Sequence, residues 1–287
     1  MAAAPPTPRL PAWLRIASWP IGGLLAFTFF VFLGFPYDLL ALRLGSQIET
    51  ATNARVRIGD VSPHLGLAGP GLAARQVLVS PQHGGTIAVE RLVIRPAWSL
   101  SWFRGGPALH LDVSSDIGEA AGTLTLGDGG GWQGELEAVR LEYLPLEMLE
   151  SFQVDGLLDA DIDLHGADAE AGGGLVGHVD FALREGSLGA EALPVAVPFD
   201  RLYGQLHFGG ESYVTVSGVQ LEGPMIAGTI EGEVGNGAAA DRPLSMKIVY
   251  EVQDPNLASM FGSFGRRGPD GGSEITISGT LARPIVR

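Results

Sequence analysis

The sequence predicts a mainly β protein in which a single N-terminal transmembrane helix precedes a long, curled, mostly antiparallel sheet with two short helices. The first observation is that the stretch from Ile16 to Tyr37 contains no charged residue. The second is a strict alternation in Leu158–His165, where apolar residues hold the even positions and polar residues the odd ones. Because successive side chains of a strand point to opposite faces, this run has one apolar and one acidic face.

The composition favours a folded chain with many turns. The 287 residues are 46% hydrophobic and 17% charged, and 42 of them are glycine, which argues against wholesale disorder. The net charge is −14, yet residues 1–57 alone carry +3, so the remaining body carries −17. An acidic body repels nucleic acid, and we expect no nucleic-acid partner. The chain has no cysteine, which excludes disulfides and thiolate chemistry.

The apolar stretch predicts a membrane anchor at residues 16–37. As a helix it spans about 33 Å, enough for a hydrocarbon core of about 30 Å. Residues 34–38 lack a small-x-small cleavage site, which favours an uncleaved anchor over a signal peptide. Arg9 and Arg15 lie in the tail 1–15 without any acid, so the positive-inside rule predicts a cytoplasmic tail. In a bacterium, this topology predicts a single-pass protein of the inner membrane with a periplasmic body.

Three helical segments are predicted outside the anchor. Residues 38–53 read as a juxtamembrane helix, which either lies on the membrane or caps the sheet. Within the periplasmic β-sheet domain at 54–287, Pro145–Phe152 and Pro255–Phe264 have the pattern of short helices. The first of these inserts near 145–152 divides the domain into two halves.

Period-two runs predict thirteen strands joined by Gly- or Pro-bearing turns, which indicates an antiparallel meander. The apolar register of one run shifts at Gly218, which predicts a β-bulge there. The thirteen strands are 55–61, 74–80, 86–95, 108–115, 118–126, 132–139, 154–165, 175–185, 199–208, 213–221, 225–234, 244–252 and 274–281.

The motifs that suggest chemistry have simpler interpretations. Asp159, Asp161 and Asp163 echo a calcium loop, but the position that needs glycine is Leu164, and the strand pattern explains every residue. Residues 69–74 imitate part of a dinucleotide fingerprint without a βαβ unit around them, which predicts a turn. The six histidines show no metal-binding spacing. We therefore predict no enzyme, no cofactor, no metal and no catalytic residue.

The chain resembles the GspN family of the bacterial type II secretion system, in the form with one anchor and an AsmA-like sheet. The matching pieces keep their order over about 250 residues, and they are residues 35–38, 55–58, 69–72, 144–149, 155–166, 177–181, 185–189 and 277–284. The resemblance implies a periplasm-facing accessory of the secretion apparatus. It also implies kinship with AsmA-type proteins, whose U-shaped sheets have an apolar trough and are associated with lipid transport.

Two functions remain open for the apolar face. The sheet either closes on itself and docks to other type II secretion subunits, or it binds the acyl chains of phospholipid or lipopolysaccharide in its trough. The same residues serve as core in the first case and as lipid-binding lining in the second. They are Leu158, Ile162, Leu164, Val179, Phe181, Leu183, Leu206, Ile226, Ile230 and Ile248.

Overall fold

The computed structural model describes residues 55–66, 69–80, 86–97, 106–127, 129–144, 152–167, 174–190, 196–210, 213–235, 242–253, 266–267, 273–280 and 283–286. Eight positions between residues 19 and 34 are also described, and all of them are helical and exposed. No helix among the described residues is long and apolar enough to cross a membrane. The rest of the predicted anchor 16–37 lies outside the described residues, together with 1–15, 38–53, 145–151 and 255–264.

Fifteen strands form one antiparallel sheet. The first eight are β1 (Arg55–Gly66), β2 (Gly69–Ser80), β3 (Ile87–Pro96), β4 (Ala108–Ser115), β5 (Gly118–Thr125), β6 (Gly131–Arg140), β7 (Phe152–Gly166) and β8 (Leu175–Ala190). The other seven are β9 (Val197–Gly209), β10 (Val214–Glu222), β11 (Ile226–Val234), β12 (Pro243–Val252), β13 (Arg266–Arg267), β14 (Ser273–Thr280) and β15 (Arg283–Val286).

The order of strands in the sheet follows the chain from β1 to β12, and β14 comes next. Both β13 and β15 pair with the far side of β14. Within the described part of the chain β1 pairs only with β2, so the sheet is not closed. The prediction of a mainly β, antiparallel meander is confirmed, and each predicted strand corresponds to one of β1–β12 or β14. The short strands β13 and β15 were not predicted.

One predicted turn is wrong. Residues 69–74 lie inside β2, and the connection from β1 falls at 67–68, because Gly66 pairs with Gly69. Pro70 is tolerated in the strand since the paired residues of β2 and β3 begin only at Leu72, so its missing N–H costs no bond to β3. The glycines and the proline of residues 69–71 therefore lie at the end of the hairpin formed by β1 and β2, and they do not form a separate loop.

The insert between β6 and β7 leaves the sheet continuous, because β6 and β7 pair over most of their length. The described part of the connection is a single 3-10 turn, Leu141–Tyr143. Its two apolar ends, Leu141 and Leu144, fold back onto the sheet.

Both edges of the sheet carry proline. Pro63 lies in β1 and Pro284 in β15, and β13 has only two residues. Proline offers no backbone N–H to a further strand, and very short edge strands offer few pairing groups. These features reduce pairing of the sheet edges with other chains.

Candidate functional site

The apolar face of the sheet is the candidate site. The pairing register places all ten of the predicted trough residues on this face. Ile162 lies opposite Val179, which lies opposite Leu206, and Leu158 is joined to Leu183 in the same way. The alternation read from the sequence therefore identifies the face correctly, although the pairing alone does not say what covers it.

Two parts of this face are tightly packed, and we call the larger one the dense cluster. The smaller one, on β1 and β2, consists of Val56, Val61, Ala74 and Val77. In the dense cluster, Phe199 is 2% exposed, Val219 3% and Leu183 5%. The other buried members are Leu141, Val197, Leu202, Leu221, Ile226 and Tyr250. Burial raises the pKa of the Tyr250 phenol, and a hydrogen bond with Ser273 opposes that shift. No large side chain in the described part of the chain is completely buried, so even this cluster lacks the depth of a closed core.

The neighbouring part of the same face is more accessible, and we call it the open row. It consists of Ile162, Val179, Leu206 and Val216, which lie side by side across β7 to β10, and its last member, Val216, packs against the dense cluster. All four are half-buried. Leu164 and Phe208, one step further along their strands, are half-buried as well. The face thus passes from a dense region to an open one within a few residues along each strand.

Bulges lie close to the dense cluster. The pairing register shifts at Ala138 in β6, beside Gly156 and Glu185 on β7 and β8, and at Gly218 in β10. All four residues have positive φ angles. A bulge increases the local twist and bends the strand. These bulges lie close to the dense cluster, and the one at Gly218 separates Val216 from Val219. The bulge predicted at Gly218 is confirmed.

Glycines on the apolar face provide room for the largest side chains. A Cβ atom placed on Gly122 would lie 2.5 Å from the Trp132 ring, and one on Gly186 would lie 2.5 Å from the Phe199 ring. Both glycines therefore accommodate an aromatic ring directly over the backbone. Pairing of a small residue with a large one lets a sheet bend toward its apolar face without overfilling it.

The cluster residues Phe199 and Leu202 were missing from the predicted site. They are three positions apart, yet both face the cluster, because the residues between them include the unpaired Asp200. A strict period of two places them on opposite faces. The sequence does contain a signal for this. Along 197–206 the apolar residues change from odd positions to even ones, and a shift of the same kind predicted the bulge at Gly218.

The polar face carries an unusual arrangement of carboxylates. Glu135, Asp161 and Asp180 lie directly opposite one another on β6, β7 and β8, and we call them the acidic row. Like charges facing each other across strands destabilise a sheet by up to about 1 kcal/mol per pair. The row lines a shallow groove of about 1080 Å³. Gln205 Nε2 donates a hydrogen bond to Asp180 Oδ1 at 2.6 Å.

Basic and aromatic side chains border the acidic row. Arg184 Nη2 lies 2.5 Å from Asp159 Oδ2. The Arg201 guanidinium stacks 4.7 Å from the centre of the Tyr203 ring, and the Tyr203 hydroxyl donates to Gln220 at 2.7 Å. Burial raises the pKa of Tyr203, and its hydrogen bond with Glu222 raises it further. These contacts tie neighbouring strands together on the solvent side.

The aspartates that echo a calcium loop lie on β7, as the strand interpretation requires, and they face the polar side. Asp159 accepts a hydrogen bond from the backbone N–H of Ala138 at 2.9 Å, so it has a structural partner at the bulge. Among the described residues, no group of three or more His, Asp or Glu side chains is arranged to hold a metal ion.

The apolar face therefore combines a dense cluster with a half-open row on a sheet that is not closed. Comparisons of the chain with protein-family models, with curated proteins and with solved structures gave no match.

Proposed function

We propose that this chain is an inner-membrane-anchored, periplasm-facing accessory component of the type II secretion system, and that it acts by protein–protein interaction without catalysis. The observation that carries the proposal is the single, unclosed antiparallel sheet with one continuous apolar face. This is the architecture that the GspN resemblance implies. The stretch Ile16 to Tyr37 supplies the anchor. Curling of the sheet into a U-shaped trough is part of the proposal.

The polar face is the surface through which the protein docks in this proposal. Its acidic row presents three aligned carboxylates that strand pairing alone disfavours. A basic surface on a partner subunit relieves that repulsion, which gives the row a role in recognition. The partner is thus a secretion subunit with a cationic periplasmic surface.

The test uses charge reversal on the acidic row in the bacterium that encodes the chain. Asp161→Lys with Asp180→Lys should leave the protein present in the membrane but lower both its co-purification with secretion subunits and the release of secreted proteins. Glu233→Lys with Glu251→Lys is the matched control, because it also reverses two exposed acids on the same face, away from the row. Normal secretion and normal co-purification by the double variant would contradict the proposal.

The open row favours a second candidate function, the binding of lipid acyl chains. Four aliphatic side chains remain half-buried in a continuous row on a sheet whose apolar face has no second layer of strands among the described residues. An acyl chain lying along this row removes its remaining apolar surface from water, which stabilises by about 25 cal/mol per Å². In this function the trough binds the lipid, and the anchor keeps the sheet at the inner membrane from which the lipid is taken.

Adjacent residues of β7 provide a matched test. A photoreactive amino acid at Ile162 faces the trough, whereas the same residue at Asp161 faces the solvent side. Irradiation of cells should attach phospholipid or lipopolysaccharide to the protein with the probe at 162 and not at 161. Equal lipid attachment at both positions would indicate general contact with membranes, and absence of attachment at 162 would exclude lipid from the trough.

A further inference from the structure

The polar face of the first three strands has the opposite charge from the rest of the sheet. Its five arginines are Arg55, Arg57, Arg75, Arg91 and Arg95, which we call the arginine patch. The described residues of these strands contain only two acids, Asp60 and Glu90. The acidic row follows on β6 to β8, so the face changes sign along the sheet.

Among the described residues, only Arg95 of the arginine patch forms an ion pair. Asp60 lies directly opposite Arg75 on β1, but no ion pair joins them. Arg75 and Arg91 lie directly opposite each other on β2 and β3. Neither forms an ion pair with any residue that the structure describes, and both are exposed. Arg95 Nε lies 3.6 Å from Asp112 Oδ2, and this buried nitrogen has no hydrogen-bond acceptor in the described part of the chain. Facing arginines destabilise a sheet unless an anion lies between or above them.

The position of the patch suggests which anion this is. β1 begins at Arg55, and the apolar stretch ends at Tyr37, so at most 17 residues separate the patch from the predicted anchor. The same linker built as a helix spans about 26 Å. Strands are about 4.8 Å apart, so the acidic row on β6 to β8 begins roughly 24 Å beyond β1. The cationic strands are therefore the ones closest to the predicted anchor along the chain.

We propose that the arginine patch docks on the anionic phospholipid headgroups of the membrane from which the chain emerges. This inference rests on the membrane anchoring in the proposed function. Headgroup phosphates provide the counter-charges that the patch lacks, and the acidic row is repelled by the same surface. The change of sign along the polar face thus holds the sheet with its first strands at the membrane and its acidic strands away from it.

The experiment uses the full chain in proteoliposomes with one fluorescent label. The chain contains no cysteine, so Ser62→Cys and Ser217→Cys each create a single labelling site. The two serines are matched, because an unbroken row of paired residues on the polar face joins Ser62 on β1 to Ser217 on β10. Quenching by lipids with a nitroxide on the headgroup reports which probe lies at the bilayer surface.

The expected result is strong quenching at position 62 in bilayers that contain phosphatidylglycerol, and little quenching at position 217. The signal at 62 should fall severalfold in purely phosphatidylcholine bilayers, in high salt, and in the Arg75→Gln, Arg91→Gln double variant. Equal quenching in neutral bilayers, or equal quenching at both positions, would overturn the inference. Energy transfer between probes at 62 and 217 on different copies, without lipid quenching, would assign the patch to self-association and overturn it too.

Flotation with the vesicles separates this inference from the proposed function. A chain that floats with alkali-washed vesicles but shows no quenching at 62 is anchored and has no headgroup contact, which overturns the docking alone. A chain that fails to float overturns the anchoring, and the docking falls with it.

Discussion

The dense cluster and the open row lie on the same apolar face and share strands β8 to β10, yet one is tightly packed and the other is half-open. The cluster contains aliphatic and aromatic residues of β8 to β12 and Leu141, whereas the open row is aliphatic and lies on β7 to β10. The bulges at Ala138 and Glu185 lie on the side of the cluster, and the bulge at Gly218 separates Val216 of the open row from Val219 of the cluster. The alternation of apolar residues therefore determines which face is apolar. We expect the bulges to determine which part of that face is buried.

The connection after β6 adds to this difference. Leu141 and Leu144 leave the end of β6 and pack against the dense cluster. The open row lies further along the strands, away from this connection. In a single sheet, a side chain is shielded from water by the side chains next to it and by any segment that packs over the face. Leu141 and Leu144 are such a segment, and they cover only the dense cluster. Burial in this protein is thus local, and the two regions should respond differently to substitution.

The largest difference is expected from a buried charge. Leu183→Asp removes a side chain that is 5% exposed and places a carboxylate without a partner in the dense cluster, which should cost about 5 kcal/mol or more and prevent folding. Ile162→Asp in the open row should cost about 2 kcal/mol, because water reaches the new carboxylate. Thermal unfolding of the full chain followed by circular dichroism measures both.

Asp161→Ser on the polar face is the control for these two variants and should change stability by less than about 0.5 kcal/mol. Similar melting temperatures for the variants at 161 and 162 would show that the assignment of faces is wrong. Similar losses at 162 and 183 would show that the open row is as buried as the cluster.

Truncation to alanine should also destabilise the dense cluster more than the open row, with smaller losses of stability than the buried charge causes. Phe199→Ala is expected to cost about 3–5 kcal/mol, because it empties the space over Gly186 that the ring fills. Leu206→Ala should cost only about 1 kcal/mol, since its side chain is half-buried. Denaturant unfolding of the two variants gives the comparison. A loss at 206 equal to that at 199 would contradict a graded apolar face.

Local pattern was sufficient to predict most of this sheet. Leu158–His165 alternates strictly, and β7 contains the whole run with the predicted faces. The signal failed where a bulge changes parity, as between Phe199 and Leu202, because a period of two cannot describe an extra residue. Pairing of Arg75 with Arg91, or of Asp161 with Asp180, depends on register between strands. A single run of sequence holds no information on register, so both charged features emerged only from the structure.

The bulge in β10 offers a test of the cause of the dense cluster. Gly218 has φ of +61°, and a Cβ atom there would meet nothing within 4 Å, so Gly218→Ala is strained only through its backbone. We expect a loss of about 1 kcal/mol, partly restored in Gly218→Asn, because asparagine tolerates this conformation. Gly209→Ala, whose Cβ would meet only the Tyr213 carbonyl oxygen at 3.9 Å, is the control and should be nearly neutral. Equal losses of stability for the alanine variants at 209 and 218 would show that the bulge conformation at Gly218 is not the cause of the loss.

The smallest effect is expected on the solvent side of the same bulges. Arg184→Gln breaks an ion pair with Asp159 whose side chains are 53% and 33% exposed, so the loss should stay below about 1 kcal/mol and vanish in high salt. Asp159→Ala also removes the acceptor for the Ala138 N–H at the β6 bulge, which should cost about 1 kcal/mol that salt does not screen. Unfolding midpoints at low and high salt distinguish the two contributions. If both losses disappeared in salt, Asp159 would act only through its charge, and the β6 bulge would be held by the crowding of the apolar face alone.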